Sequence, residues 1–222
     1  MPKTMPEIKA VLFDLDGTLA DTAPDLAQTL NSLLLENNKQ ALEFDVIRPY
    51  VSHGAMALLK LGFPEYNEDV LFEKFRNQFL TIYSNNLTTH SRLFPGMAEL
   101  LEQLEASEIA WGVVTNKPAF LTNPLMEELN LHQRAQAIIS GDTTANKKPH
   151  PEPINLACDQ INVDPEQAIY VGDAERDIQA GNAAGLITLA ALFGYLNEYD
   201  KPELWQADGL INQPSEVQHW LR

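Results

Sequence analysis

Four apolar residues, Ala10-Val11-Leu12-Phe13, run without a break into Asp14-Leu15-Asp16-Gly17-Thr18. A short, wholly apolar run that stops at a polar turn reads as a strand buried on both faces. Such strands belong to parallel sheets covered by helices, and their carboxyl ends are where open α/β sheets gather their ligands. Here that end carries two acids separated only by Leu15. Two carboxylates so close repel unless a cation sits between them or one keeps a proton. A divalent cation with oxygen ligands satisfies both acids.

The same pattern recurs downstream. Ala110-Trp111-Gly112-Val113-Val114 ends in Thr115-Asn116-Lys117-Pro118, and Ala137-Ile138-Ile139 ends in Ser140-Gly141-Asp142. Ala168-Ile169-Tyr170-Val171-Gly172 ends in Asp173, with Asp177 four residues on in a turn that opens a helix. Ile187-Thr188-Leu189-Ala190-Ala191 and Gly209-Leu210-Ile211 are two further short strands. Helical spacing fills the gaps: Met97, Leu100, Leu101 and Leu104 share one face, and helices are expected at about 121–131 and 154–161. Before the latter, the prolines of Asn146-Lys147-Lys148-Pro149-His150-Pro151-Glu152-Pro153 stiffen a loop that offers Lys148 to the sheet edge. Alternating strands and helices predict a doubly covered parallel sheet of the Rossmann-like α/β class.

Residues 22 to 93 interrupt this alternation and read as helices. Leu26, Leu30, Leu33 and Leu34 recur at helical spacing after Thr22 and Asp25, which have the spacing of a capping box. Phe72, Phe75, Phe79 and Tyr83 form an aromatic stripe, read as core rather than a cofactor surface. Between them, Tyr50-Val51-Ser52-His53-Gly54-Ala55 breaks the helical run. That loop could face a ligand or simply join two helices. The domain expectation is a catalytic core of residues 1–20 and 94–222 and a helical insertion of residues 21–93.

Charge limits the partners. The 222 residues carry 15 Lys and Arg against 31 Asp and Glu, a net −16. That balance argues against nucleic acid and anionic membranes. A phosphate pocket must therefore be made locally positive by a metal, by Lys and by backbone N–H groups. With one cysteine, Cys158, no intrachain disulfide can form, and its helical setting reads as core. Met1-Pro2-Lys3-Thr4-Met5-Pro6-Glu7 lacks the apolar segment of a secretory signal, and no apolar run is long enough to span a bilayer, so the cytoplasm is the expected compartment.

All these polar strand ends lie on one edge of the predicted sheet, so Asp14, Asp16, Thr115, Lys148, Asp173 and Asp177 can meet in one crevice. The chemistry then narrows. A carboxylate can attack phosphorus and form an aspartyl-phosphate. A second carboxyl can protonate the leaving oxygen and later deprotonate water. Lys and metal neutralise the transferring group, Thr115 can hydrogen-bond a phosphate oxygen, and Mg²⁺ suits an oxygen-only site.

Asp14-Leu15-Asp16-Gly17-Thr18, Val114-Thr115-Asn116, Lys148-Pro149 and Gly172-Asp173-Ala174-Glu175-Arg176-Asp177 occur in the order of the four motifs of the haloacid dehalogenase-like hydrolases, and nearly the whole chain resembles that superfamily. The resemblance implies that Asp14 is nucleophile and metal ligand. It makes Asp16 the general acid/base, with its carbonyl on the metal. It gives Thr115, Asn116 and Lys148 to the phosphoryl group and Asp173 and Asp177 to Mg²⁺, and it makes the helical insertion a mobile cap. Dehalogenating members lack the second acid, so Asp16 implies phosphoryl chemistry on a small phosphorylated metabolite. Ala174 departs from the polar residue that relatives often carry there. Val51-Ser52-His53-Gly54, Leu93-Phe94-Pro95-Gly96-Met97 and Trp111 to Pro118 resemble both phosphoglycolate phosphatases and N-acetylmuramic acid 6-phosphate phosphatases. Ser52 and His53 are candidates to contact the leaving group, and Phe193-Gly194-Tyr195 either lines the entrance or is structural. A sugar phosphomutase on the same scaffold and a non-enzymatic interaction protein are the rival readings. The assembly expected is a monomer or homodimer.

Overall fold

The structure is a computed structural model that describes residues 7–66 and 70–221. The opening stretch, residues 1–6, lies outside the described residues. Strand β1 (Ala10–Phe13) is fully buried and hydrogen-bonded in parallel on both sides, to β4 (Ala110–Val114) and to β6 (Ala168–Gly172). With β5 (Ala137–Ile139), β7 (Ile187–Ala191) and β8 (Gly209–Ile211) they form one six-stranded sheet in the order β5-β4-β1-β6-β7-β8. From the central strand the chain moves outward on one side through β4 and β5, then crosses to build the other side through β6, β7 and β8. The reversal leaves a crevice at the carboxyl end of β1, the topological switch point of an open α/β sheet.

Alternate side chains of β1 serve two cores. Val11 and Phe13 join Val113, Ile169 and Val171 on one face. Ala10 and Leu12 join Val114, Ile139 and Tyr170 on the other, against Ile154, Ala157 and Cys158 of α7 (Glu152–Ile161) and Ala180 of α8 (Glu175–Ala184). Cys158 is therefore the core residue that its setting predicts. Helix α5 (Met97–Ala106) buries Met97, Leu100, Leu101 and Leu104 on the first face. Helix α6 (Ala119–Glu128) begins and ends earlier than the expected 121–131, while α7 matches its expected end and starts two residues sooner.

The insertion contains α1 (Ala23–Glu36), α2 (Phe44–Ile47), a 3₁₀ segment (Arg48–His53), α3 (Gly54–Gly62) and α4 (Val70–Ser84). The aromatic stripe is core, as read: Phe72, Phe75, Phe79 and Tyr83 are all buried, and Phe75 stacks on Phe63 with ring centroids 4.3 Å apart. No helix among the described residues is long and apolar enough to cross a membrane.

Two local expectations are corrected. Ala20–Asp21 and Arg92–Leu93 pair as a two-stranded antiparallel ribbon, β2 with β3, at the neck of the insertion. Strands of two residues are too short to show alternation in a sequence. Thr22 and Asp25 do not form a capping box: Thr22 makes no side-chain cap bond, and its hydroxyl donates instead to Asp16 Oδ1 at 2.5 Å. The Asp25 carboxylate, fully buried, accepts the N–H groups of His90 (3.0 Å) and Ser91 (2.8 Å) and the Ser91 hydroxyl (2.7 Å). Tertiary partners with fixed donors outcompete the local cap. Asp25 thereby ties α1 to the segment entering β3. Replacing Asp25 with Ala leaves those donors unsatisfied and is expected to lower the unfolding free energy by about 2–3 kcal/mol, as urea denaturation would measure; a change below about 0.5 kcal/mol would contradict this role.

Candidate active site

The crevice is built from strand ends. Asp14 follows β1 directly, and its backbone N–H donates to Val171 O at 2.9 Å, continuing the ladder with β6. Asp173 follows β6, and Asp177 lies in the first turn of α8, where its Oδ2 accepts the Ala174 N–H at 3.0 Å. Gly172 lets this turn close, because a Cβ there would collide with the Asp177 side chain. Gly17 is similarly required: it holds φ +88° and its missing Cβ leaves room for the Asp173 carboxylate. Oxygens of Asp14, Asp173 and Asp177 all lie within 4.8 Å of one another, and all three residues are buried.

Lys148 answers this negative charge. Its Nζ lies 2.9 Å from Asp14 Oδ1 and 2.8 Å from Asp177 Oδ1. It also donates to Val114 O at 2.8 Å and reaches the Tyr170 hydroxyl at 2.7 Å. Asn116 fixes the loop that carries it: the Asn116 amide donates to Lys148 O at 3.0 Å and accepts the Lys148 N–H at 3.1 Å. One ammonium cannot balance three buried carboxylates. Burial, followed by the nearby charges of Asp14 and Asp177, pushes the Asp173 carboxyl up to about 7 from 3.8. Burial also raises Asp177, against the downward pull of Lys148. Asp173 Oδ1 is buried with no hydrogen-bond partner. Three converging carboxylates with an unpartnered oxygen are a fitting donor set for a hard divalent cation, so Asp14, Asp173 and Asp177 could hold one.

Asp16 points elsewhere. Its carboxylate is outside the three-acid cluster and pairs with Lys117, Nζ to Oδ1 2.8 Å. Lys117 also reaches the Tyr83 hydroxyl of α4 at 2.9 Å. Burial pulls the Lys117 ammonium down, but the Asp16 carboxylate, together with the bond to the Tyr83 hydroxyl, outweighs it and holds the ammonium above its ordinary value. Thr115 is buried, and its hydroxyl accepts the Lys117 N–H at 3.1 Å.

The insertion closes over this rim. Asp14, Asp16, Thr115, Asn116, Ser52 and His53 share the wall of one cavity of about 510 Å³. The Ser52 hydroxyl donates to Asp173 Oδ2 at 2.6 Å, so the 48–53 segment faces the site and is not merely a connection. His53 is more exposed on the same wall, and partial burial followed by the Arg176 charge lowers its pKa. Phe193, Gly194 and Tyr195 are not among the cavity walls. Tyr195 instead fastens the neck: its hydroxyl donates to Asp21 Oδ1 at 2.7 Å and accepts the N–H groups of Thr22 and Ala23. Its own N–H donates to Asp173 Oδ2 at 2.8 Å, and the Arg48 guanidinium holds Gly194 O at 3.1 Å.

Three residues to which the sequence reading gave no place in the site therefore belong to the site or its frame: Lys117, Tyr83 and Arg176; Tyr195, read as lining the entrance or structural, is structural. Arg176 donates to Ser52 O at 2.7 Å. Lys117 and Arg176 lie inside motifs quoted above, but nothing in one dimension shows that one meets Asp16 and the other the 48–53 segment.

A parallel sheet whose strand order reverses beside three buried acids, a lysine and a helical insertion defines a hydrolase scaffold of one kind. The family model for haloacid dehalogenase-like hydrolase matches residues 11–191. The chain belongs to that family. It is 42% identical over 210 residues to an N-acetylmuramic acid 6-phosphate phosphatase of Pseudomonas putida, covering 95% of this chain and 94% of the relative. It is 43% identical over 209 residues to a phosphoglycolate phosphatase of Xanthomonas campestris, covering 94% of each. Among solved structures, a protein described as a predicted phosphoglycolate phosphatase from Haemophilus somnus superposes with a TM-score of 0.86 at 29% identity, covering 99% of this chain and 100% of that one.

The raised Asp173 pKa has a sign that can be tested. Between 3.8 and about 7 the folded protein keeps a proton that the unfolded chain has released, so stability falls as pH rises through that window. Chelator-treated protein should therefore lose unfolding free energy between pH 5 and 7.5, and an added divalent cation should restore it at the higher pH. Urea denaturation of wild type and Asp173→Asn checks this: the variant should show a flatter profile and a smaller cation effect, and an unchanged profile would contradict it.

Proposed function

We propose that this chain is a Mg²⁺-dependent phosphomonoesterase that transfers the phosphoryl group of a small metabolite to Asp14 and then to water. Membership of the hydrolase family and the phosphatase relatives at 42–43% identity support the reaction class. One observation carries the mechanism. Asp14 is buried with its carboxylate against the Lys148 ammonium at 2.9 Å, at the wall of a cavity that also contains Asp16.

In this reading a carboxylate oxygen of Asp14 attacks phosphorus as the bond to the substrate alcohol breaks. Asp16 gives its proton to the departing oxygen, then takes one from the water that attacks the phosphorus of the aspartyl-phosphate. Inorganic phosphate leaves and both acids return to their starting states. Lys148, Thr115 and Asn116 orient the phosphoryl oxygens, and the Lys148 charge stabilises the electron density that gathers there. Mg²⁺ held by Asp14, Asp173, Asp177 and the Asp16 carbonyl would supply further charge neutralisation. Residues 21–93 act as the cap, and Ser52 and His53 select the leaving group from it.

The substrate proposed first is 2-phosphoglycolate, after the relatives bearing that activity in their names. N-acetylmuramic acid 6-phosphate is the second reading. It is favoured by the 42% identical relative and by a cavity of about 510 Å³, within the size range of roughly 300–1,000 Å³ that encloses much larger molecules than a two-carbon acid. The cytoplasm is the proposed compartment, and a monomer or homodimer the proposed assembly.

A phosphate-release screen with Mg²⁺ over both substrates separates the two readings. Release without any sugar bisphosphate would also argue against a mutase. On the preferred substrate, Asp14→Asn should lose at least about a thousandfold in turnover while its circular dichroism matches wild type; undiminished turnover would contradict the nucleophile.

A further inference from the structure

Asp16 is held more elaborately than a free acid/base requires. Two donors bond to the same oxygen, Oδ1: the Lys117 ammonium at 2.8 Å and the Thr22 hydroxyl at 2.5 Å. Lys117 comes from the loop after β4, and Thr22 immediately precedes α1. The Lys117 ammonium is itself bonded at 2.9 Å to the Tyr83 hydroxyl, near the end of α4 in the insertion. The side chains of Lys117 and Asp16 are only 7% and 17% exposed.

A buried ion pair is a poor device for stability alone, because removing two charges from water costs about as much as their attraction returns. What such a pair does supply is direction. Gripping one carboxylate oxygen from two sides fixes the rotamer and leaves the other oxygen for a visitor in the cavity, whose wall Asp16 and Lys117 share.

We infer that Lys117 is the positioning residue of the acid/base: with Tyr83 behind it, it holds Asp16 Oδ1 so that Oδ2 meets the leaving-group oxygen. The inference rests on the phosphomonoesterase reading above. Asp16 Oδ2 takes up a solvent proton before the step, and this is the proton transferred. It moves to the ester oxygen as the P–O bond breaks and the bond from Asp14 forms. Lys117 keeps its own protons throughout. Because Tyr83 belongs to the insertion and Asp16 to the sheet rim, Asp16 is fully set only when α4 is seated on Lys117.

The test uses two leaving groups with Mg²⁺ present. An alkyl phosphate (whichever of 2-phosphoglycolate and N-acetylmuramic acid 6-phosphate wild type prefers) needs its departing oxygen protonated. The p-nitrophenolate of p-nitrophenyl phosphate leaves without help. Comparing kcat/KM confines the measurement to binding and the departure of the alcohol and leaves out the later hydrolysis. Lys117→Met should lower kcat/KM for the alkyl phosphate by at least about tenfold more than for the aryl phosphate, a fraction of the 10²–10⁴ that general acid catalysis supplies. Lys117→Arg should recover part of the difference. Tyr83→Phe, which removes a single hydroxyl, should shift the ratio in the same direction by less, and it carries the comparison if Lys117→Met does not fold. Equal losses on both substrates, or no loss on either, would overturn the assignment. Wild type that releases phosphate from neither kind of ester would instead defeat the phosphomonoesterase reading, and the role of Lys117 with it.

Discussion

The Lys148 ammonium is the point on which the site balances. It stands between the carboxylates of Asp14 and Asp177 at 2.9 and 2.8 Å, with Val114 O and the Tyr170 hydroxyl completing its surroundings. Without a cation there, Asp14, Asp173 and Asp177 would be like charges packed together away from water, a repulsion with nothing to offset it. Even with Lys148 there and the Arg176 charge nearby, the balance is incomplete, and burial with the Asp14 and Asp177 charges raises the Asp173 carboxyl to about 7. The deficit left by Lys148 is what makes the cluster receptive to a divalent ion. Removing Lys148 would therefore disturb both the fold around β1 and the charge felt by any incoming phosphate.

Topology explains how such distant residues reach that ammonium. Because β1 lies between β4 and β6, the loops after these three strands emerge side by side at one rim. Asp14, Thr115 and Asp173 each stand directly after one of those strands. Lys148 comes from the long loop after β5, and its position depends on the two-way bond between its backbone and Asn116. The insertion enters and leaves through the β2–β3 ribbon beside the same rim, so its 48–53 segment lies over the acids. Ser52 and Arg176 join it to the sheet there, and Arg48 and Tyr195 do so at the neck.

Much of this was legible in the chain itself. Apolar runs that stop at polar residues marked four strands of the large sheet, β1, β4, β5 and β6, and their shared edge predicted the meeting of Asp14, Thr115, Lys148 and Asp173. Those features are local, and a parallel sheet converts them to neighbours without further information. What escaped the reading depends on long-range pairing. Lys117 looks like an ordinary loop lysine until folding brings it to Asp16 and Tyr83. Tyr83 reads as core from its spacing, and its ring is core, yet its hydroxyl bonds the Lys117 ammonium at the cavity wall. Thr22 and Asp25 have the spacing of a helix cap, but Asp16 and the 90–91 backbone claim their side chains. Tyr195 reads as lining the entrance or structural, and its bonds to Asp21, Thr22 and Ala23 decide for the structural part in fastening the neck.

The account as a whole turns on Asp14 becoming covalently attached to the transferred group. Slowing the second half of the reaction should let that species accumulate. Asp16→Asn protein, mixed with Mg²⁺ and p-nitrophenyl phosphate and quenched in acid, is the direct measurement, read by peptide mass analysis. The account predicts the mass of one phosphoryl group on the peptide that contains Asp14. Phosphate released with no label on that peptide, or label on another residue, would contradict it.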